Sequence, residues 1–207
     1  MTFGDDDFFD GEIFSDIQLD QSPLEHREFQ DCEFKNCDFS SSVFDNCRFE
    51  DCIFTSCDLS LVEFKDTRVS GVSFRQSKLL GIDWTALNTT ALVGADWSKV
   101  KTNSRLDFDF YESNISNSIF WGLNADSAKI IKCTAHDANF TEANLSNADC
   151  SHSDFQGTKL TDTNLTNADF RHAQNYSIDL KNTQIKGAKF SFPEAVSLLS
   201  SLGIEVE

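Results

Sequence analysis

Positive charge is scarce in this sequence. The chain of 207 residues holds 17 Lys and Arg against 34 Asp and Glu, which gives a formal net charge of −17. Such an excess of acid argues against direct binding of nucleic acid, because the phosphates would repel it. It favours a protein partner with a basic surface. The simpler alternative is that the charge only keeps the protein soluble.

Methionine, proline and tyrosine are rare as well. One Met, two Pro and two Tyr stand beside 20 Phe, and a composition this biased indicates an internal repeat. Hydrophobic residues make up 40% of the chain, which is enough to build a core, so disorder is not expected.

Long apolar runs and export features are missing. No stretch of 18 apolar residues occurs, so no transmembrane span is expected. The first residues, Met1 to Asp7, are acidic and lack the basic and apolar regions of a signal peptide. Seven cysteines, an odd number, then fit free thiols in a reducing compartment. The sequence therefore predicts a cytoplasmic protein.

Motifs of catalysis and metal binding are also missing. There is no glycine-rich phosphate loop and no Ser, His and acid set at motif spacing. We expect no enzyme activity, no catalytic residue and no cofactor. His152 and His172 are 20 residues apart and should stack; a weak metal site is the alternative to a surface coincidence, and we expect no metal. Five cysteines are spaced by five or ten residues rather than by the two to four of zinc sites, so they predict core packing, with metal or disulfide chemistry as the alternative: Cys32, Cys37, Cys47, Cys52 and Cys57.

What the sequence does contain is a period of five. From Phe9 to Trp84, 16 apolar residues follow one another at five-residue intervals. This period is neither the 3.6 of a helix nor the 2 of a strand, so the backbone must turn a corner every five residues. The residue two before each is usually small or apolar, so two positions in five point inward. The predicted core phenylalanines are Phe34, Phe39, Phe44, Phe49, Phe54, Phe64, Phe74, Phe120, Phe140, Phe155 and Phe170.

The period is interrupted twice, by slips of three residues near 85–89 and 103–107, which predict short loops or bulges. Leu92 and Trp97 keep the period between them. The predicted segments are an irregular N-terminal cap or first coil (1–28), N-terminal coils (29–86), a coil with small loops (87–109), C-terminal coils (110–190) and a C-terminal helix and tail (191–207).

Segments such as Ala143-Asn144-Leu145 and Ala168-Asp169-Phe170 repeat almost verbatim, and the sequence resembles the pentapeptide-repeat proteins over roughly residues 29–190. The resemblance implies an all-β fold, a right-handed quadrilateral parallel β-helix with four pentapeptides per coil. Asn124, Asn144 and Asn164 are in phase with coils of 20 residues. About nine coils at about 4.8 Å each give a rod of about 45 Å.

The C-terminus leaves the period of five and predicts a short helix that begins near Pro193 and stops at Gly203. We expect this helix to cap the rod and to join two chains into a homodimer. The expected interface residues are Leu198, Leu199, Leu202, Ile204 and Val206.

Acidic residues concentrate in the first third, where residues 1–66 hold 18 Asp and Glu against 4 Lys and Arg. The outward positions predict an acidic, partner-binding surface on two adjacent sides of the rod. One side carries Asp45, Glu63, Asp66 and Asp83, and the other carries Asp31, Glu50 and Asp51. Trp121 also falls on an outward position, where an exposed Trp is an interface candidate.

Within the family, the sequence resembles the quinolone-resistance (Qnr-type) proteins. The resemblance rests on Ser56 to Ser60, Leu80 to Trp84 and the end, Ala195 to Ile204. It implies a C-terminal dimer that imitates duplex DNA, binds DNA gyrase and topoisomerase IV, and protects them from quinolones or a related poison. Some members protect through long projecting loops, whereas the slips here are short. The alternative is a structural or interaction scaffold, or an immunity factor, with a partner other than a topoisomerase.

Overall fold

The computed structural model describes Phe3, residues 6–87 and residues 107–205. The chain folds into a right-handed, four-sided parallel β-solenoid of about eight turns with one short C-terminal helix, as predicted. At about 4.8 Å per turn the rod is about 40 Å long, one turn shorter than expected.

Parallel ladders run along the four sides of the rod. Face 1 contains β1, β4, β7 and β10, and face 2 contains β2, β5, β8, β11, β12 and β13 in register. Face 3 is formed by isolated bridges, such as Asp38 with Asp58 and Asp58 with Lys78. Face 4 contains β3, β6 and β9. The strand bounds are β1 Phe8–Asp10, β2 Ile13–Ser15, β3 Leu24–Glu25, β4 Glu28–Gln30, β5 Glu33–Lys35, β6 Val43–Asp45, β7 Arg48–Glu50, β8 Ile53–Thr55, β9 Glu63–Lys65, β10 Arg68–Ser70, β11 Val72–Arg75, β12 Phe108–Tyr111, β13 Ile130–Ile131, β14 Asp169–Phe170 and β15 Lys189–Phe190.

The corners between the faces need left-handed backbone. In the described part of the chain, 25 residues other than glycine have positive φ, and most of them are Asp, Asn or Ser. Asp and Asn tolerate this conformation better than other residues, because their short side chains bond to the local backbone. The corner amides then bond to the next coil, as Asp51 N–H does to the carbonyl of Ser70 at 2.9 Å.

Stacked phenylalanine rings fill the axis of the rod. Phe54 stacks between Phe34, at a centroid distance of 4.4 Å, and Phe74, at 5.2 Å. Phe120 and Phe140 stack at 4.4 Å. All eleven core phenylalanines named from the sequence are buried, with exposed fractions of 7% or less. Each coil therefore covers the rings of its neighbours, which is the source of stability in a solenoid.

The second inward position holds small side chains that bond to the backbone. The Cys57 thiol donates to the carbonyls of Phe34 and Thr55, both at 3.4 Å. All seven cysteines are free and buried. Burial raises the pKa of Cys47 to about 11 and that of Cys133 to about 12.

The first coil is a regular coil rather than the irregular cap expected for residues 1–28. β1 pairs with β4 in register, with Phe9 opposite Phe29. Arg27, which occupies an inward position, is partly buried and forms an ion pair with Asp7. The ring of Phe3 packs against Phe9, Phe14 and Phe29, and so covers the open end of the core.

The two short slips expected near 85–89 and 103–107 are replaced by one larger excess. Phe74 pairs with Phe54, 20 residues earlier, but with Phe110, 36 residues later, so this coil holds 16 residues more than the others. The extra residues fall within 88–106, outside the described residues, as do the predicted positions Leu92 and Trp97. The full coil counted within 87–109 is therefore missing from the ladder, which explains the shorter rod.

A second departure lies in the last full coil. Asn175, which breaks the sequence period, has a φ of 56° and turns outward. Tyr176 enters the core in its place and contacts Phe170 at 5.9 Å and Phe190 at 5.5 Å between ring centroids. Burial raises the pKa of Tyr176 to about 12.

The C-terminal helix is shorter than predicted. A 3-10 turn at Glu194–Val196 leads into α1, Ser197–Ser200. Gly203, with a φ of 73°, ends the helical segment as expected. Its N–H bonds to Ser200, and the N–H of Ile204 bonds to Leu199, the Schellman arrangement. No helix among the described residues has the length and apolar character of a membrane span.

Candidate partner-binding surface

Face 4 brings together the acidic residues predicted for one side of the rod. Glu63 stands opposite Val43, and Asp45 stands opposite Lys65, because β6 and β9 pair in register. Asp66 occupies the corner that follows β9, with a φ of 44°. Asp83 directly precedes the 3-10 turn Trp84–Ala86, where its carboxylate accepts the N–H of Thr85 at 3.0 Å. These four residues form what we call the face 4 acid patch: Asp45, Glu63, Asp66 and Asp83.

The face 4 acid patch has little local compensation. Within the described ranges, none of its four carboxylates lies within 4.0 Å of a basic side chain, although other acids of the rod do. Lys65 is the one basic residue on this face among the first four coils. The patch therefore presents free negative charge to a partner.

Face 1 differs in its charge pattern. Arg48 and Arg68 stack in one column beside Glu28, and Arg48 pairs with Glu50 at 2.8 Å. Glu50 is therefore neutralised locally. Asp31 and Asp51 lie at the corner between faces 1 and 2, with φ values of 52° and 53°. The structure thus places all seven predicted acids on the two adjacent sides, but face 1 mixes both signs of charge.

Exposed apolar side chains were largely missed by sequence reasoning, which noted only Trp121. In the described part of the chain, eight large hydrophobic side chains are exposed. The signal available in the sequence was an apolar residue on an outward position. They are Phe8, Ile13, Leu61, Ile119, Trp121, Phe192, Leu202 and Ile204.

Three of the eight lie at the C-terminal end, where a dimer interface was predicted. Leu202 and Ile204 are about half exposed, at 48% and 47%, and Phe192 is 84% exposed. Leu199 is partly buried, and Val206 lies outside the described residues. Leu198, by contrast, packs against the core of the same chain, so it caps the rod and does not belong to a free surface.

The histidines predicted to stack do so. The rings of His152 and His172 lie 4.7 Å apart and nearly parallel, with an interplanar angle of 20°. Parallel rings do not converge their nitrogens on one point, which is what a metal ion requires. Among the described residues, no group of three or more His, Cys, Asp or Glu side chains is placed to hold a metal.

Comparison with known proteins agrees with this architecture. The chain matches the family model "Pentapeptide repeat region" over residues 27–103 and "Pentapeptide repeats (8 copies)" over residues 109–147 and 143–174. The protein belongs to the pentapeptide-repeat family. No curated protein matches its sequence.

Among solved structures, the chain is similar to full-length QnrB1, described as a plasmid-mediated fluoroquinolone resistance protein. The identity is 19%, the TM-score is 0.68, and the match covers 95% of this chain and 100% of that chain. A trypsin-treated variant of QnrB1 matches with 20% identity and a TM-score of 0.67, over 95% and 99% of the two chains. At these identities the similarity shows the shared fold.

Proposed function

We propose that this protein is a DNA mimic that binds DNA gyrase or topoisomerase IV in the cytoplasm and protects the enzyme from quinolones or a related poison. The observation that carries the proposal is the uncompensated face 4 acid patch on a rod with a regular rise. Duplex DNA is also a rod of regular negative charge, with about one charge per 1.7 Å of axis.

The similarity to QnrB1 supports the choice of partner. That protein confers fluoroquinolone resistance by its printed description, and its fold extends over nearly the whole of this chain. The resemblance of the C-terminal sequence to Qnr-type chains points the same way. An end-to-end dimer through Leu199, Leu202 and Ile204 would reach about 80 Å, at about 4.8 Å per coil.

The enlarged coil adds to this support. Some Qnr-type proteins act through projecting loops, and the coil between Phe74 and Phe110 contains 16 residues beyond the 20 of a regular coil. This excess exceeds the short slips read from the sequence. It gives the proposed protection a segment of the length that such a loop needs.

A supercoiling assay tests the proposal. Gyrase is inhibited with ciprofloxacin, and the purified protein is added over a range of concentrations. We expect supercoiling to recover at low protein concentration and gyrase to be inhibited at high concentration, because a DNA mimic competes with the substrate. No effect on gyrase at any concentration would refute the proposal and leave the scaffold alternative.

A further inference from the structure

The exposed apolar residues in the middle of the rod lie together on one side. Five of the eight exposed large side chains belong to the first coil or to the C-terminal end, where a solenoid exposes its last layer. The remaining three are Leu61, Ile119 and Trp121, with exposed fractions of 59%, 38% and 53%. All three border or occupy face 4, since Ile119 pairs with Asp83 and Leu61 occupies the corner before β9.

Leu61 is placed there at a conformational cost. Its φ is 60°, and it is the only apolar residue among the 25 non-glycine residues with positive φ in the described ranges. Left-handed backbone brings the Cβ of such a residue too close to the next carbonyl. Its side chain lies flat over Gly81, where an added Cβ would meet Leu61 Cδ2 at 2.7 Å. A strained, exposed leucine is typical of a functional position.

Ile119 and Trp121 project from the coil that follows Asp83. Asp83 and Asn139 stand in register on either side of Ile119. The carbonyl of Ile119 accepts the N–H of Trp84 at 3.0 Å, so a ladder bond fixes the backbone that carries both side chains. Trp121 is therefore a rigidly mounted indole rather than a loop residue. An indole of this kind supplies large contact area at a small cost in side-chain entropy.

The apolar side chains and the face 4 acid patch form one continuous strip. Asp83 belongs to the coil before Ile119, and Asp45 lies three coils before Trp121, about 14 Å along the axis at about 4.8 Å per coil. Other exposed aromatic or aliphatic residues of the described rod are absent from the middle of faces 1, 2 and 3. The strip is thus the single long side, within the described ranges, that combines free carboxylates with apolar anchors.

We propose that face 4 is the side of the rod that docks on its partner, with Trp121 and Ile119 seated in an apolar pocket and the face 4 acid patch on an adjacent basic surface. Leu61 extends the apolar contact toward the patch. This inference rests on the proposed function, and the occupant is the basic DNA-binding surface of the topoisomerase. Charge complementarity selects that occupant over a second copy of this chain, whose own face 4 is acidic.

Two substitutions can remove the anchors without disturbing the ladder. Ile119→Asn is compatible with the column, because Asn139 holds the same position in the next coil. Trp121→Thr is compatible because Thr85 and Thr141 hold the equivalent positions in the flanking coils. The matched control is Ile13→Ser, which removes an exposed apolar residue, at 60% exposure, from face 2, where Ser73 holds the equivalent position.

Affinity for gyrase is measured for the wild type, the double variant Ile119→Asn/Trp121→Thr and the control, each checked by circular dichroism. We expect the double variant to bind about thirtyfold more weakly, as the loss of a buried Trp anchor typically does, and the control to bind as the wild type. Equal binding by all three proteins would overturn the inference while the proposed function stands. No binding of gyrase by the wild type would remove the proposed function and the inference with it.

Discussion

Phe54→Ala is the substitution that probes the ring stack most directly. Phe54 is 2% exposed and lies between Phe34 and Phe74, at centroid distances of 4.4 and 5.2 Å. Ladder bonds on this face hold the coils at fixed spacing, so the cavity left by the ring cannot collapse. We therefore expect a loss of about 3–5 kcal/mol in the free energy of unfolding, the range found for buried Phe→Ala changes.

Urea denaturation followed by circular dichroism measures this loss at a fixed protein concentration, since dimer formation would shift the midpoint. With a slope of about 2–3 kcal/mol per molar urea, the expected loss lowers the midpoint by about 1–2 M. The control is Trp121→Thr, since Trp121 is 53% exposed, and we expect its midpoint to stay within about 0.3 M of the wild type. Equal midpoints for the two variants would refute the claim that the ring stack holds the coils together.

Three further predictions concern the cysteines, the dimer and the enlarged coil. The seven buried cysteines should resist iodoacetamide in the native protein and react fully in urea, as mass spectrometry would show, because burial excludes the reagent and raises the pKa of most of the thiols; rapid native labelling of Cys133 would contradict their placement. Leu202→Asp should turn a dimer into a monomer in light scattering with the monomer fold intact, because it charges a half-exposed leucine of the proposed interface; an unchanged mass would remove that interface. Deleting residues 89–104 restores the 20-residue spacing, so we expect a folded protein that no longer protects gyrase from ciprofloxacin, and unchanged protection would exclude a role for the extra residues.

The period of five was sufficient to predict the solenoid, its core and the stacking of its columns. The phase of Asn124, Asn144 and Asn164 is confirmed by amide hydrogen bonds of 2.9 and 3.0 Å between neighbouring coils. These features follow from local spacing, because a side chain every five residues meets the axis whichever coil it belongs to. The placement of the acids on two sides of the rod follows from the same spacing.

The enlarged coil could not be read from spacing, since Leu92 and Trp97 match the period by residue type without entering the described ladder. Only the pairing of Phe74 with Phe110 shows which coil comes next. Tyr176 was missed because one extra corner residue moved the core position by a single step. Charge compensation was missed as well, since the pairing of Arg48 with Glu50 depends on side-chain geometry.

The measurement that tests the account most directly is competition with DNA for gyrase after charge reversal. Asp45, Glu63, Asp66 and Asp83 are changed together to Lys, and the control protein carries the same change at four exposed acids of other faces and corners, namely Asp10, Asp16, Asp20 and Asp38. Each set loses one carboxylate that caps a nearby backbone N–H, at Asp83 and Asp38, so local effects on folding are matched. We predict that the face 4 variant no longer displaces DNA from gyrase while the control still does. Equal displacement by the two variants would contradict the claim that face 4 imitates DNA.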